Sequence, residues 1–345
     1  MTSRRETRRG AGPARGRRRW RRLGVLLVGS VALVWVGNTS CWTKPRGDGP
    51  QLIAHRGVHQ AFDRQGLTGQ TCTAERMLEP THDYLENTIR SMEAAFELGA
   101  GAVELDLHPT TDGRFAVFHD WTVDCRTEGT GVTREHSLAD LQQLDVGHGY
   151  TADGGKTFPF RGTGEGAMPS LDEVLERFQS RTLILDLKGG RRAEGEQLAT
   201  RLASLPAGRR AQILVYGGPP AVEVVRRRFP EMVTITRPRL KRCLLRYLAT
   251  GWSGRVPAAC ANGMITVPAN AARLMWGWPH RFVRRMESVG SVVVLIGDYE
   301  GGSLSQGFDD VARFRALPGF DGWVWTDRIE RLASVDRDPE ESGRP

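Results

Sequence analysis

Several features are scarce in this chain, and each scarcity narrows what it can be. Cysteine occurs five times in 345 residues, and no two cysteines have metal-ligand spacing, so a structural zinc site is not indicated. Excess charge is absent from the body. The formal +8 sits on residues 1–22, which carry ten Arg against one Glu, leaving 38 basic and 39 acidic residues for the rest. The pI of 9.6 therefore describes a tail and not a nucleic-acid groove. No repeat period emerges, and no nucleic-acid partner is expected.

Residues 23–43 carry no charged side chain, and 23–36 are almost wholly apolar. Twenty-one helical residues span roughly 31 Å, about the thickness of a bilayer's hydrocarbon core. Trp20, Trp35 and Trp42 lie near the ends, where amphipathic rings favour the interface. The expectation is a single-pass membrane protein with an Arg-rich cytoplasmic tail (1–22), an anchor (23–43), a linker (44–50) and an extracytoplasmic domain. A cleaved signal, or a lipoprotein processed at Cys41, is the alternative. In an exported body, Cys72–Cys125 and Cys243–Cys260 are the expected bridges.

From residue 51 to about 335, strand and helix patterns alternate, which predicts a parallel sheet of α/β class and, at this length, a (β/α)8 barrel. Nine strands are expected for eight places: 51–54, 102–107, 115–119, 182–188, 211–216, 232–236, 263–267, 292–296 and 322–325. The link Pro109–Arg114 is too short for a regular crossover helix. Helices are predicted at 88–98, 137–144, from Ser170, at 194–204, 220–228, 239–249 and 272–289. Residues 58–85 and 147–166 read as long loops, which are usually functional. Residues 336–345 read as a frayed tail.

The organising stretch is Ala102–His108. Val103, Leu105 and Leu107 share one strand face, so Glu104 and Asp106 share the other, about 7 Å apart along the chain. Buried carboxylates need a partner, and this pair asks for a cation or a base. Other polar groups also fall at strand ends: His55 and Arg56, His119, Asp186 and Lys188. The C-terminal ends of barrel strands converge on one rim. Carboxylates suit Ca2+ or Mg2+ better than zinc. Two histidines supply a general acid and base, and Arg56 and Lys188 suit a phosphate. The outline is metal-assisted hydrolysis of an anionic phosphoester.

In the order His55-Arg56-Gly57, Glu86-Asn87-Thr88, Glu104-x-Asp106, His119-Asp120, Asp186-Leu187-Lys188 and Gly319-Phe-Asp-Gly…Thr326-Asp327, the chain resembles the glycerophosphodiester phosphodiesterase family over about 51–330. The resemblance implies a TIM barrel, His55 and His119 as the acid/base pair, and Glu104, Asp106 and Asp186 as metal ligands. It places Glu86 in or beside the metal shell and Arg56 and Lys188 on the substrate phosphate. The implied cofactor is Ca2+ or Mg2+, and the implied reaction splits a glycerophosphodiester into an alcohol and sn-glycerol 3-phosphate. The alternatives are phospholipase D-type action on lysophospholipids or sphingolipids, and an inactive barrel serving as an envelope binding module.

Three departures stand out. The insert 58–85 separates two motifs that lie close together in the family, so it should reach the catalytic rim and reshape the substrate site. Asp186 stands where the family has Glu. A late Trp-Thr-Val-Asn strand is replaced by Leu295-Ile296-Gly297-Asp298. His59, His82, His108, His136 and His148 read as ordinary surface or loop residues. Trp323 or Trp325 reads as core or pocket wall, and the arginines at 226–228 as a solvated helix face. If the body is neutral, a polypeptide starting at residue 44 is expected to show no salt-sensitive affinity for DNA. Tight binding in a fluorescence-anisotropy titration would contradict this.

Overall fold

The structure, a computed structural model, describes residues 25–26, 28–29, 32–40, 43, 49–68, 71–301, 306–317 and 319–334. Eight parallel strands run β6–β5–β4–β2–β1–β9–β8–β7 around a nearly closed barrel. They are β1 (Gln51–His55), β2 (Ala102–Pro109), β4 (Thr182–Leu187), β5 (Ile213–Gly217), β6 (Thr234–Ile235), β7 (Met264–Pro268), β8 (Val292–Ile296) and β9 (Trp323–Thr326). Between β6 and β7 the backbone N–H of Thr234 donates to the carbonyl of Asn262 at 3.0 Å, carrying the ring across the remaining gap.

The ninth strand, β3 (Phe115–Val117), lies outside the barrel. It folds back antiparallel on β2, pairing Leu107 with Val117 and Pro109 with Phe115. A five-residue connection cannot carry a parallel crossover, and a hairpin is the geometry left to it. His119 therefore reaches the rim from a loop and not from a barrel strand.

Alternation along each strand sorts side chains into two layers. Val103, Leu105 and Leu107 pack outward against surrounding helices with Met92, Val174 and Leu198. Full burial of each such side chain contributes about 1.5–3 kcal/mol. Ile53, Ile184, Leu214, Met264, Val294 and Trp325 fill the interior. The insert and the long loop share a separate core in which Ala74, Met77 and Leu85 meet Val123, Tyr150 and Phe160. Asp145, just before that loop, accepts backbone N–H bonds from Gly147 and Gly164 at 2.9 Å. The stretch expected to be one helix at 272–289 is a short 3-10 turn, Ala272–Leu274, followed by His280–Glu287. Pro279 interrupts it, because it has no N–H to give to a preceding turn.

The single-pass membrane expectation is overturned. Among the described residues no helix is long and apolar enough to cross a membrane. A strongly apolar stretch of 14 residues would span only about 21 Å as a helix, against about 30 Å of hydrocarbon. Residues 32–38 are helical, and their C-terminal end is held on the barrel. Asn38 Nδ2 donates to the Trp252 carbonyl at 2.8 Å, and Arg285 donates to Asn38 Oδ1 at 2.9 Å and to the Gly37 carbonyl at 3.2 Å. The Arg-rich tail, Trp20, Cys41, Trp42, most of the linker and the frayed C-terminus fall outside the described residues.

Both expected disulfides, Cys72–Cys125 and Cys243–Cys260, are present. Their sequence separations of 53 and 17 residues imply chain-entropy contributions of about 4 and about 3 kcal/mol. Replacing Cys243 and Cys260 together by Ala is expected to cost roughly 2–4 kcal/mol in urea unfolding. An unchanged midpoint would show that the bridge does not restrain the unfolded chain.

Candidate active site

The His-Arg-Gly turn is shaped by close approach. Arg56 and Gly57 both have positive φ, 61° and 78°. A Cβ on Gly57 would lie 2.5–2.9 Å from Oγ and backbone atoms of Ser91 in the helix Ile89–Glu97. Only glycine fits there at low strain, and the turn aims the Arg56 side chain into the barrel mouth. Arg56 N–H donates to the Glu104 carbonyl, and Asn87 N–H to the Arg56 carbonyl, both at 3.0 Å.

The Glu-Asn-Thr motif divides its labour. Thr88 caps the helix, its Oγ1 accepting from Ser91 N–H at 3.2 Å. Asn87 clasps Asp106 by donating to Oδ2 at 2.8 Å and accepting from its N–H at 3.1 Å. Glu86 meets Arg56 Nη1 at 3.0 Å and Arg126 Nη1 at 3.2 Å. Burial opposes its charge, but the two guanidinium groups bring its carboxyl down to about 2. Glu86, expected in or beside a metal shell, is thus paired with Arg56 and Arg126. Its two oxygens are engaged by arginines, and it stands outside the cluster of carboxylates that share one site.

That cluster is Glu104, Asp106 and Asp186, whose ligand atoms lie within 4.8 Å of one another. Asp106 and Asp186 are direct neighbours in the ladder, so they share one pleat face, and the shorter Asp side chain still reaches the cluster. Glu104 is fully buried, and its Oε2 has no hydrogen-bond partner. Burial, reinforced by the charges of Asp106 and Asp186, pushes its carboxyl well above the usual range. Burial likewise raises Asp186, although Lys188 opposes this. Asp106 goes the other way despite its burial, because Lys188 and Arg56 hold it ionised. Lys188 Nζ is 3.2 Å from both Asp106 and Asp186, and Arg56 Nε is 3.2 Å from Asp106. Three crowded carboxylates, one with an orphaned oxygen, fit a hard divalent cation.

Each histidine is backed by an aspartate at Nδ1. His55 meets Asp327 at 2.5 Å, which turns Nε2 toward Glu104 at 3.7 Å. His119 meets Asp120 at 2.7 Å, and Asp120 accepts from Arg126 Nε at 2.8 Å. Burial, together with the neighbouring Arg56 and Lys188, lowers His119 to about 4, so it is neutral near pH 7. His59 and His108 were expected at the surface or in loops, but both are buried. His108 faces the His119 carbonyl at 3.3 Å, and burial lowers it to about 4.

Four contributors escaped the sequence reading. Tyr216 on β5 lies beside Asp186 in the ladder and donates to Glu104 Oε1 at 2.7 Å. Its signal was present, since it alternates with Leu214 at a strand end. Asp327 had been noted only as part of a motif. Arg126 and Arg64 follow no local pattern, because their partners are set by the tertiary fold. A cavity of about 470 Å³ is lined by His55, Arg56, Asp106, His119, Asp186 and Tyr216. One side is polar, and the other carries Ile235, Leu240, Met264, Ile296 and Trp325.

The fold and its rim define a (β/α)8 barrel with a candidate hard-cation centre beside two histidines and two phosphate-compatible cations. Residues 72–197 match the model of the glycerophosphoryl diester phosphodiesterase family. Over 118 residues the chain is 35% identical to a glycerophosphodiester phosphodiesterase of Bacillus subtilis, covering 32% of this chain and 39% of that one. Over 103 residues it is 36% identical to one from Caldanaerobacter subterraneus, covering 30% and 39%. The matched regions thus span about two fifths of these relatives' length. Among solved structures, a glycerophosphodiester phosphodiesterase from Agrobacterium tumefaciens aligns with TM-score 0.52 at 21% identity, over 83% of this chain and 99% of that one. The glycerophosphoryl diester phosphodiesterase domain of a Mycobacterium tuberculosis protein aligns with TM-score 0.56 at 18% identity, over 84% and 99%. At these identities the two structures speak for the fold. The family model and the curated relatives thus agree on similarity to the glycerophosphoryl diester phosphodiesterase family.

Gly57→Ala is expected to destabilise the protein by roughly 1–3 kcal/mol, combining positive φ with the clash at Ser91. Urea unfolding checks this, and an unchanged midpoint would contradict it.

Proposed function

We propose that the protein is a metal-dependent phosphodiesterase that hydrolyses glycerophosphodiesters to an alcohol and sn-glycerol 3-phosphate. The observation that carries the reading is the meeting of three carboxylates that fit one cation with Arg56, Lys188 and two aspartate-backed histidines at the same rim. The ion, Ca2+ or Mg2+ held by Glu104, Asp106 and Asp186, would supply Lewis-acid stabilisation of charge on the phosphoryl oxygens. Arg56 and Lys188 hold the phosphodiester and offset that charge. His119, kept neutral by burial and by two cations, takes a proton from the attacking water. His55, facing Asp327 and Glu104, delivers a proton to the departing alcohol oxygen. Tyr216 holds Glu104 in place through the hydrogen bond to Oε1.

The apolar side of the cavity supports a second substrate reading. Ile235, Leu240, Met264 and Ile296 can cover an acyl chain, which suits a lysophospholipid cleaved in the phospholipase D manner.

A substrate panel run with and without Ca2+ or Mg2+ tests both readings. Release of glycerol 3-phosphate from glycerophosphocholine is expected, and His55→Ala or His119→Ala should each lower kcat at least about 100-fold. Faster choline release from lysophosphatidylcholine would favour the second reading. No phosphodiesterase activity with either metal would overturn the proposal.

A further inference from the structure

We propose that Arg64, carried by the insert 58–85, is a positioning residue for His55 and acts through Asp327. The inference rests on the reading of His55 as a catalytic group. Asp327 is buried and uses its two oxygens differently. Oδ1 faces His55 Nδ1, while Oδ2 contacts the Arg64 guanidinium and accepts the Gly307 N–H at 3.0 Å.

The surroundings explain why a cation is needed there. Asp309 lies against Asp327, its Oδ1 accepting from the Asp327 N–H at 2.8 Å and from Thr326 Oγ1 at 2.7 Å. Two adjacent carboxyls, Asp327 buried and Asp309 half-buried, repel when both are ionised, and an uncompensated buried charge is costly. His59 Nε2 lies 4.0 Å from Asp327 Oδ1, but burial keeps that ring toward its neutral form. The opposite charge comes from Arg64, which spans the gap between insert and barrel. With it in place Asp327 stays an anion, holds a proton on His55 Nδ1 and so leaves Nε2 to carry the proton that His55 gives to the substrate.

The insert is built to hold this arginine still. Asp63, beside Arg64, pairs with Arg76 at 3.0 Å and takes the Gln65 N–H at 3.0 Å. The Arg64 guanidinium also sits 5.2 Å from the Phe62 ring centre. Further along, Cys72 is bonded to Cys125, and the adjacent Thr73 and Arg126 are joined at 2.6 Å. Arg126 is the group behind Asp120 and His119. One insert therefore braces both His–Asp pairs, directly through Arg64 and indirectly through Thr73.

The test measures kcat, KM and the thermal midpoint of the full chain on glycerophosphocholine for wild type, Arg64→Ala, Arg64→Lys, Asp327→Asn and the Arg64→Ala/Asp327→Asn double variant. Arg64→Ala should lower kcat about 10–100-fold with KM little changed, and Arg64→Lys should recover part of it. The double variant should be no slower than Asp327→Asn, because both act on one path. An unchanged kcat, a loss that merely follows a lowered thermal midpoint, or additive losses would overturn the proposal. So would loss of a bound metal equivalent in Asp327→Asn, which would make Asp327 a ligand alongside His55 and His59. If the wild type is inactive the functional reading fails, and 15N NMR of His55 decides the positioning claim. The Nδ1–H tautomer should be lost in Arg64→Ala, and its persistence would defeat the proposal.

Discussion

The structure turns on charge compensation inside the barrel mouth. Glu104 and Asp106 are almost inaccessible to solvent, and Asp186 lies against them. Water cannot screen three such carboxylates, so the protein must arrange opposing charge. Lys188 bridges Asp106 and Asp186, Arg56 reaches Asp106, and Tyr216 covers one oxygen of Glu104. The orphaned oxygen of Glu104 marks what is left over. Asp106 is held ionised while Glu104 is driven toward its protonated form. The cluster is thus unevenly compensated by protein groups, and the deficit is centred on the carboxylate with no cation of its own.

This constraint also accounts for local choices that otherwise look unrelated. Arg56 adopts a left-handed backbone so that its guanidinium can reach Glu86 and Asp106 together. Asn87 has φ of 59° and turns its amide onto Asp106. Such positions cost about 1–3 kcal/mol each and persist where surrounding contacts over-determine them. Here the fixing contacts are backbone hydrogen bonds linking Glu104, Arg56 and Asn87. Strain on the rim is held in place by the same strand whose side chains need the charge.

Much of this was legible in the sequence because it is periodic. Period-2 alternation placed Glu104 and Asp106 on one face, and alternation of strand and helix gave the barrel and its rim. Register follows from these, and it put Asp186 beside Asp106. What was not legible depends on contacts without a period. The pairing of Glu86 with Arg126 crosses 40 residues, and that of Arg64 with Asp327 crosses 263. Neither leaves a local mark, so the pairing of Glu86 with two arginines is not legible in the sequence. The burial of His59 and His108 was missed for a related reason: the insert and the β3 hairpin cover them, and both lie off the barrel pattern.

The same distinction explains why the family match begins at residue 72 while the barrel begins at Gln51. The insert separates the first strand from the rest in sequence, so a contiguous alignment loses His55-Arg56-Gly57. In space the separation is slight, because β1 pairs with β2 and β9 whatever the length of its outgoing loop. Closing a longer loop costs entropy only logarithmically. A second core and the Cys72–Cys125 bridge then order that loop against the long loop that follows β3. A barrel whose chemistry sits at strand ends can therefore accept such an insertion without moving the reacting groups. The added chain lies on the rim, where Arg64 and Thr73 touch the supports of both histidines.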